Sequence, residues 1–109
     1  MSYSILKKFY DGQLSSTAET LIYTVPSSTT NGPSVIRSLM AHNISTSANV
    51  NFTMKINDKV FLEETISKQD SLFIGHDWYL VLEPGDTIKV TASTKNVINL
   101  IISGSETKV

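Results

Sequence analysis

The segment NVNFTMKIND, residues 49–58, decides the fold class of this chain. Its apolar residues stand at every second position, with polar residues between them: Val50, Phe52, Met54 and Ile56. Strict alternation over this length indicates a β-strand with one buried face and one face in water, because successive side chains of a strand point to opposite sides. The segment is therefore predicted to be a strand at the surface of a hydrophobic core.

Similar segments follow along the chain. TIKVTAS (87–93) repeats the alternation, and EPGD (83–86) before it predicts a reverse turn, because Pro84 presets φ and Gly85 can take a positive φ. Further strands are predicted in TLIYTVP (20–26), KVFLEETI (59–66), WYLVLEP (78–84) and VINLIISGS (97–105). Seven or eight short strands with turn residues between them predict an all-β fold, a single Ig-like or jelly-roll β-sandwich.

Two parts of the chain depart from this simple pattern. SVIRSLMAHNIS (34–45) is apolar at odd and even positions alike, which predicts a strand covered on both faces. Residues 1–17 are interpreted as an edge strand or an arm that reaches a neighbouring molecule. Residues 18–109 are assigned to the sandwich domain.

The composition is that of one small domain with an unusually neutral surface. The chain has 109 residues, and 17% of them are charged, against about 25% in an average protein. Its polarity comes from hydroxyl groups instead, since it contains 15 Ser and 12 Thr. Weak repulsion between copies would permit the close packing of many subunits.

The composition also argues against several classes of partner. The net charge is −1 and the longest basic run is Lys7-Lys8, so no phosphate-facing patch for nucleic acid is predicted. The absence of cysteine removes disulfides and thiolate metal sites. The first residues lack the apolar region of a secretion signal, and no apolar run approaches the roughly 18 residues of a membrane span. We therefore expect a protein made in a cytoplasm that binds neither nucleic acid nor membrane.

Few residues could carry chemistry. His42, His76 and Asp77 would make a metal site only if they met across the sandwich. We favour the interpretation in which His42 faces the partner sheet and His76 lies in a turn. Glu63 and Glu64 are adjacent on a strand and point to opposite faces, so they cannot form a catalytic pair by themselves. No nucleophile elbow and no glycine-rich phosphate loop is present. The sequence thus predicts a non-enzyme without catalytic, cofactor-binding or metal-binding residues.

Trp78 and Tyr79 are the residues that we single out as a possible contact site. They stand side by side at the start of a predicted strand, directly after a turn. Three interpretations remain open. One of the two rings points inward and belongs to the core, or the pair anchors a subunit contact, or the pair stacks on the sugar rings of a host-surface glycan.

The run ETLIYTVPSSTTNGPSVIRSLMAHNIST (19–46) resembles a pattern of small virion structural proteins of tailed bacteriophages. In that pattern an L-Y-T-V-P strand leads through a polar turn into a strand with S-[LIV], which ends in N-x-[ST]. An alternating strand, a G-D turn, an [IV]-x-V strand with A-S, and a valine-rich strand closing in S-G-x-E then follow. The matching residues are 21–26 (with Ile22 as an extra residue between Leu and Tyr), 38–39, 43–45, 50–56, 85–86, 88–90, 92–93 and 97–106.

The resemblance covers roughly residues 18–106 and implies a sandwich that assembles into rings or arrays on a virion. It carries over no catalytic residue and no cofactor. On this basis we predict a structural subunit of the tail, neck collar or baseplate that contacts copies of itself and other virion proteins through strand edges and polar loops. The polar residues 27–34 and the first 17 residues are the predicted contact points. A capsid decoration protein is the structural alternative, and a carbohydrate-binding module for host adsorption is the alternative of another class.

Overall fold

A computed structural model of the chain describes residues 2–75 and 77–109, and no helix occurs among them. These residues form nine strands, so the predicted all-β class is confirmed. The alternation did not predict the short strand Ser71–Ile74, which follows KVFLEETI after a tight turn. The strands are β1 (Tyr3–Gln13), β2 (Thr20–Thr24), β3 (Asn31–Asn43), β4 (Val50–Ile56), β5 (Lys59–Ile66), β6 (Ser71–Ile74), β7 (Leu80–Leu82), β8 (Thr87–Ala92) and β9 (Ile98–Lys108).

The strands form two antiparallel sheets, and this confirms the predicted β-sandwich. The first sheet has the order β1-β9-β3, and both β6 and β7 pair with the far side of β3. The second sheet has the order β2-β8-β4-β5. β9 lies between β1 and β3, so the first sheet joins strands that are far apart in the sequence.

The hydrophobic core lies between the inner faces of the two sheets. Val50, Phe52 and Met54 of β4 are fully buried, as their alternation predicted. The first sheet contributes an equally apolar inner face: Ile36, Leu39, Ala41, Ile98, Leu100 and Ile102. Burial of one such side chain of the size of valine or larger contributes roughly 1.5–3 kcal/mol, so this double layer is the main source of stability.

The predicted turn at 83–86 is present and connects the two sheets. The Asp86 N–H donates to the carbonyl of Glu83 at 3.0 Å, and Gly85 has a φ of 94°. A positive φ at the third residue, after proline, fits a type II turn, in which glycine avoids the strain that a side chain would cause. The Gly85 N–H also donates to Val25, which fixes the turn against the end of β2.

β1 lies at the edge of the first sheet and is part of the sandwich. It pairs with β9 from Tyr3 to Gln13, except at Phe9. The side chains of Phe9 and Leu14 enter the common core, and the ring of Phe9 lies 4.4 Å from that of Tyr23 on β2. The first residues therefore contribute directly to the folded core.

β3 is covered on one face only, so the prediction that both of its faces are covered was wrong. Its inner residues Ile36, Leu39 and Ala41 are fully buried, whereas Met40 on the outer face is exposed. The described residues contain no third layer outside the first sheet. The apolar residues on both faces of β3 therefore leave an apolar surface open to solvent in the isolated chain.

Two β-bulges flank β9 at the same level. The extra residue is Phe9 on β1 and Arg37 on β3, and both lie beside Ser103 of β9. The carbonyl oxygen of Val35 approaches Gly104 so closely that a Cβ atom there would lie 1.8 Å from it. Glycine is required at this position because no side chain could be accommodated. Bulges bend strands and re-aim side chains, and here they shape the surface around β1, β9 and β3.

A further bulge lies in β2. The pairing of β2 with β8 shifts register between Leu21 and Tyr23, so Ile22 is the inserted residue. A strand accommodates an insertion as a bulge without losing the pairing on either side. Tyr23 therefore still reaches across the sandwich, where its hydroxyl donates to the carboxylate of Glu106.

Candidate functional site

The outer face of the first sheet carries a row of apolar side chains that crosses three strands. The register places Ile101 of β9, Met40 of β3 and Phe73 of β6 directly beside one another. Their side chains are between 41% and 57% exposed. Single exposed apolar residues are common on protein surfaces, but a contiguous row is a feature of interaction sites. We call these three residues the apolar row.

Hydrogen-bonded polar pairs border the apolar row on both sides. On one side the hydroxyls of Ser38 and Ser103 lie 2.8 Å apart. On the other side the Nδ1 of His42 lies 2.6 Å from the Ser71 hydroxyl. An apolar centre with a polar margin is the usual anatomy of a protein–protein interface.

His42 therefore lies on the outer face, and the interpretation that it faces the partner sheet was wrong. Its neighbours Ala41 and Asn43 point inward and are buried, so strand alternation turns His42 to the opposite side. The Asn43 side chain instead occupies the interior, where its Nδ2 donates to the carbonyls of Ala48 and Ile66. His42 belongs to the margin of the apolar row.

A groove with mainly apolar walls and three basic residues among those that line it lies over the double bulge. It has a volume of about 530 Å³ and is lined by Leu6, Lys7, Lys8, Arg37, Ser103 and Gly104. The Nζ of Lys8 binds the carboxylate of Asp11 at 2.8 Å, and the Nζ of Lys7 lies 3.4 Å from Glu106. We call this site the basic groove.

Below the groove, Glu106 is fully buried in a network that joins β9 to β1 and β2. Its carboxylate accepts hydrogen bonds from the Tyr23 hydroxyl and from the Nζ of Lys108, the latter at 2.9 Å. Burial alone would raise the pKa of Glu106, but these hydrogen bonds and the charges of Lys7 and Lys108 outweigh it and lower the pKa. Burial, followed by the bond to Glu106, raises the pKa of Tyr23 above its usual range. Both groups therefore keep their usual protonation states, and the network is structural.

Part of the predicted contact segment 27–34 belongs to this interior, so the prediction was wrong for that part. The hydroxyl of Ser34 is buried 3.0 Å from that of Tyr23, and Asn31 is buried at the start of β3. Buried side chains such as these cannot contact a neighbour. Residues 27–30 remain exposed, in a turn closed by the bond from the Thr30 N–H to Ser27.

The structure places Trp78 and Tyr79 in different environments. Trp78 is half-buried, packs against the core and lies 6.1 Å from the ring of Phe61 on β5. Tyr79 is 63% exposed and precedes β7. The two rings thus do not form one flat platform, and Tyr79 alone is available for contact.

The candidate metal and carboxylate residues that the structure describes form no cluster. His76 lies outside the described residues, so the predicted turn position of that residue is not tested. No group of three or more potential metal ligands occurs in residues 2–75 and 77–109. Glu63 and Glu64 are both exposed on β5, and Asp77 is exposed in a turn. Within the same residues no helix is long and apolar enough to cross a membrane.

Two features of the surface, the apolar row and the basic groove, were not predicted from the sequence. The apolar row has a signal in the sequence, because β3 is apolar at odd and even positions alike. That pattern predicted a strand covered on both faces instead of one with an exposed apolar face. The basic groove left only the pair Lys7-Lys8, since the bulge that brings Arg37 beside them depends on pairing with distant β9. Neither feature is marked in the sequence by a recognisable motif.

Comparison with known proteins adds no family to this description. No protein-family model matches the chain, and no curated protein matches it. The surface features that could carry a function are therefore the apolar row, the basic groove and the open edges of the two sheets.

Proposed function

We propose that this protein is a non-enzymatic structural subunit that assembles with copies of itself and with other proteins. The apolar row on the outer face of the first sheet carries the proposal. The chain places Ile101, Met40 and Phe73 together on a face that nothing within the described residues covers. Covering this face removes apolar surface from water, which favours association by about 25 cal/mol per Å² before the costs of binding are subtracted.

The remaining surface suits the same role. A surface of low charge, rich in Ser and Thr, can form many short polar contacts without burying unpaired charge. The sandwich also has open edges at β1 and β5, where unpaired backbone groups can bind a further strand.

The virion of a tailed bacteriophage is the assembly that we propose, on the resemblance of residues 18–106 to its small structural proteins. The tail, the neck collar and the baseplate are the proposed locations, with other virion proteins as neighbours. A capsid decoration protein would use the same surfaces, and it would differ by binding empty capsids in the absence of tail components.

The test is the mass of the purified chain in solution, measured by size-exclusion chromatography with light scattering over a dilution series. We expect a defined oligomer that Met40→Glu dissociates, because the substitution places a charge in the centre of the apolar row. Thr91→Glu is the matched control, since it adds the same charge to the outer face of the other sheet. A monomer at every concentration, or equal effects of both substitutions, would contradict the proposal.

One observation supports the carbohydrate-binding alternative, namely the exposure of Tyr79 beside the only tryptophan of the chain. A sugar that stacks on Tyr79 should change the fluorescence of Trp78, and Tyr79→Ala should remove that change. A host-wall glycan series without any fluorescence response would leave assembly as the function.

A further inference from the structure

Among the edge strands of the two sheets, β1 and β5 lie on opposite sides of the sandwich. β1 ends the first sheet on the side of β2, where the rings of Phe9 and Tyr23 meet. β5 ends the second sheet on the other side, where Phe61 contacts Trp78 just before β7. A neighbouring molecule could therefore approach each edge without blocking the other.

The edge at β1 is positively charged. Lys7 and Lys8 lie on β1 itself, whereas Arg37 lies on β3, across β9 from them. Among the residues that the structure describes, these cations pair with no carboxylates other than Asp11 and Glu106. Arg37 forms no ion pair within the described residues. The groove therefore has a net positive charge that an external carboxylate could neutralise.

The edge at β5 has a net negative charge, because it carries Glu63 and Glu64 against the single cation Lys59. Glu63 and Glu64 are exposed next to each other, and neither forms an ion pair or a side-chain hydrogen bond in the described part of the chain. They point to opposite faces of β5, just as Lys7 and Lys8 do on β1. The two edges thus carry complementary pairs of charges with the same spacing.

The two strands also run in the same direction. Leu14, directly after β1, donates its N–H to the carbonyl of Ile98. Ile66, at the end of β5, accepts a hydrogen bond from Asn43, which is opposite Ile98 in the first sheet. A copy rotated about an axis along the strands would therefore bring its β5 beside β1 in parallel.

We infer that copies of this chain associate head to tail, with the acidic edge β5 of one copy seated at the basic groove beside β1 of the next. The inference rests on the proposed assembly role and adds to the apolar row a second contact between copies. Strand addition supplies backbone hydrogen bonds, and the opposite charges set the pairing of the two edges. Because the contact joins two different surfaces, it repeats from copy to copy and closes into a ring when the rotation permits.

Charge reversal on each surface tests the inference by sedimentation velocity. The groove variant is Lys8→Glu with Arg37→Glu, and the edge variant is Glu63→Lys with Glu64→Lys. All four side chains are exposed, so both variants should keep the melting temperature of the parent chain. Each variant alone should weaken association roughly hundredfold, because like charges then face each other.

An equimolar mixture of the two variants is the decisive sample. In an alternating arrangement every contact then joins opposite charges, so association should return with one-to-one stoichiometry. Raising the salt from about 0.05 to 0.5 M should weaken the association of both the parent chain and the mixture, because the charges are screened. The matched control is Lys95→Glu, compared with Arg37→Glu alone, because both single substitutions make the same change of net charge and Lys95 is an exposed lysine outside β1 and β5.

The outcomes separate this inference from the function on which it rests. A parent chain that stays monomeric under all conditions would overturn both. A parent chain that associates while both variants behave like it would overturn the head-to-tail contact and leave the assembly role standing. Equal loss in the lysine control, or no recovery in the mixture, would also overturn the contact.

Discussion

Replacement of the buried carboxylate in Glu106→Gln should destabilise the chain strongly. In the folded protein this carboxylate accepts hydrogen bonds from Tyr23 and Lys108 and faces the ammonium group of Lys7. The amide that replaces it has nearly the same shape, but its NH₂ group can only donate. Either Tyr23 or the lysines then lose their acceptor inside the sandwich.

The size of the effect follows from the exposure of the partners. Removal of one member of a fully buried ion pair costs about 3–5 kcal/mol, because the other charge stays buried. The side chains of Lys7 and Lys108 are 43% and 30% exposed, so water can solvate them after the substitution. We therefore expect a loss of about 2–3 kcal/mol in the free energy of unfolding, since charge-assisted hydrogen bonds to Glu106 are still lost. This corresponds to a fall in melting temperature of roughly 8–20 °C.

Urea denaturation of both proteins across pH provides the assay and its internal check. The pKa of Glu106 is lower in the folded chain than in the unfolded chain, where it is about 4.3. Its stabilisation is therefore present above that pH and is lost as the pH falls through the folded pKa, so the two stability curves should converge in acid. Asp11→Asn is the control, because it breaks an exposed ion pair and should cost less than about 1 kcal/mol. A difference below about 0.5 kcal/mol at neutral pH, or one that does not shrink in acid, would refute this reasoning.

Further predictions concern other parts of the sandwich. Gly104→Ala should lower the free energy of unfolding by roughly 3 kcal/mol or more in a thermal melt, because its Cβ meets the Val35 carbonyl. Gly32→Ala should cost only about 1 kcal/mol, because its Cβ meets only a side chain. Equal costs would contradict the close approach at Gly104. Burial, and then the bond to Glu106, raise the pKa of Tyr23, so its hydroxyl should stay protonated up to about pH 11. Tyr23→Phe should therefore leave the absorbance change of tyrosine ionisation over that range unchanged. A smaller change would be evidence against the network. Phe61→Ala should shift the emission of Trp78 to longer wavelength, whereas Phe73→Ala on the apolar row should not.

The fold class could be predicted because alternation reports directly which residues face the core. Val50, Phe52 and Met54 are all fully buried, and the turn at 83–86 has the geometry that Pro84 and Gly85 require. The order of the strands could not be predicted, because alternation assigns faces but not neighbours. Nothing in VINLIISGS indicates that this segment lies between β1 and β3.

The surfaces were harder to predict because they depend on contacts between distant residues. Glu106 follows a glycine and two serines near the chain end, and its burial depends on Tyr23 and Lys7, which are more than 80 residues away. The bulges at Phe9 and Arg37 arise only when both strands pair with β9. The apolar row is the exception, because the apolar residues at odd and even positions of β3 are visible in the sequence. They predicted that both faces of β3 are covered, whereas the outer face is exposed.

The central place of β9 affects how the protein is made. During translation β1 and β3 leave the ribosome long before β9, yet β9 is the strand that both must pair with. Until residues 98–108 emerge, these two strands expose unpaired edges and apolar faces, which are the surfaces that bind chaperones or aggregate. A chain that terminates before β9 lacks the strand that joins β1 to β3, and it cannot form the basic groove. The topology thus couples completion of the first sheet to the synthesis of β9.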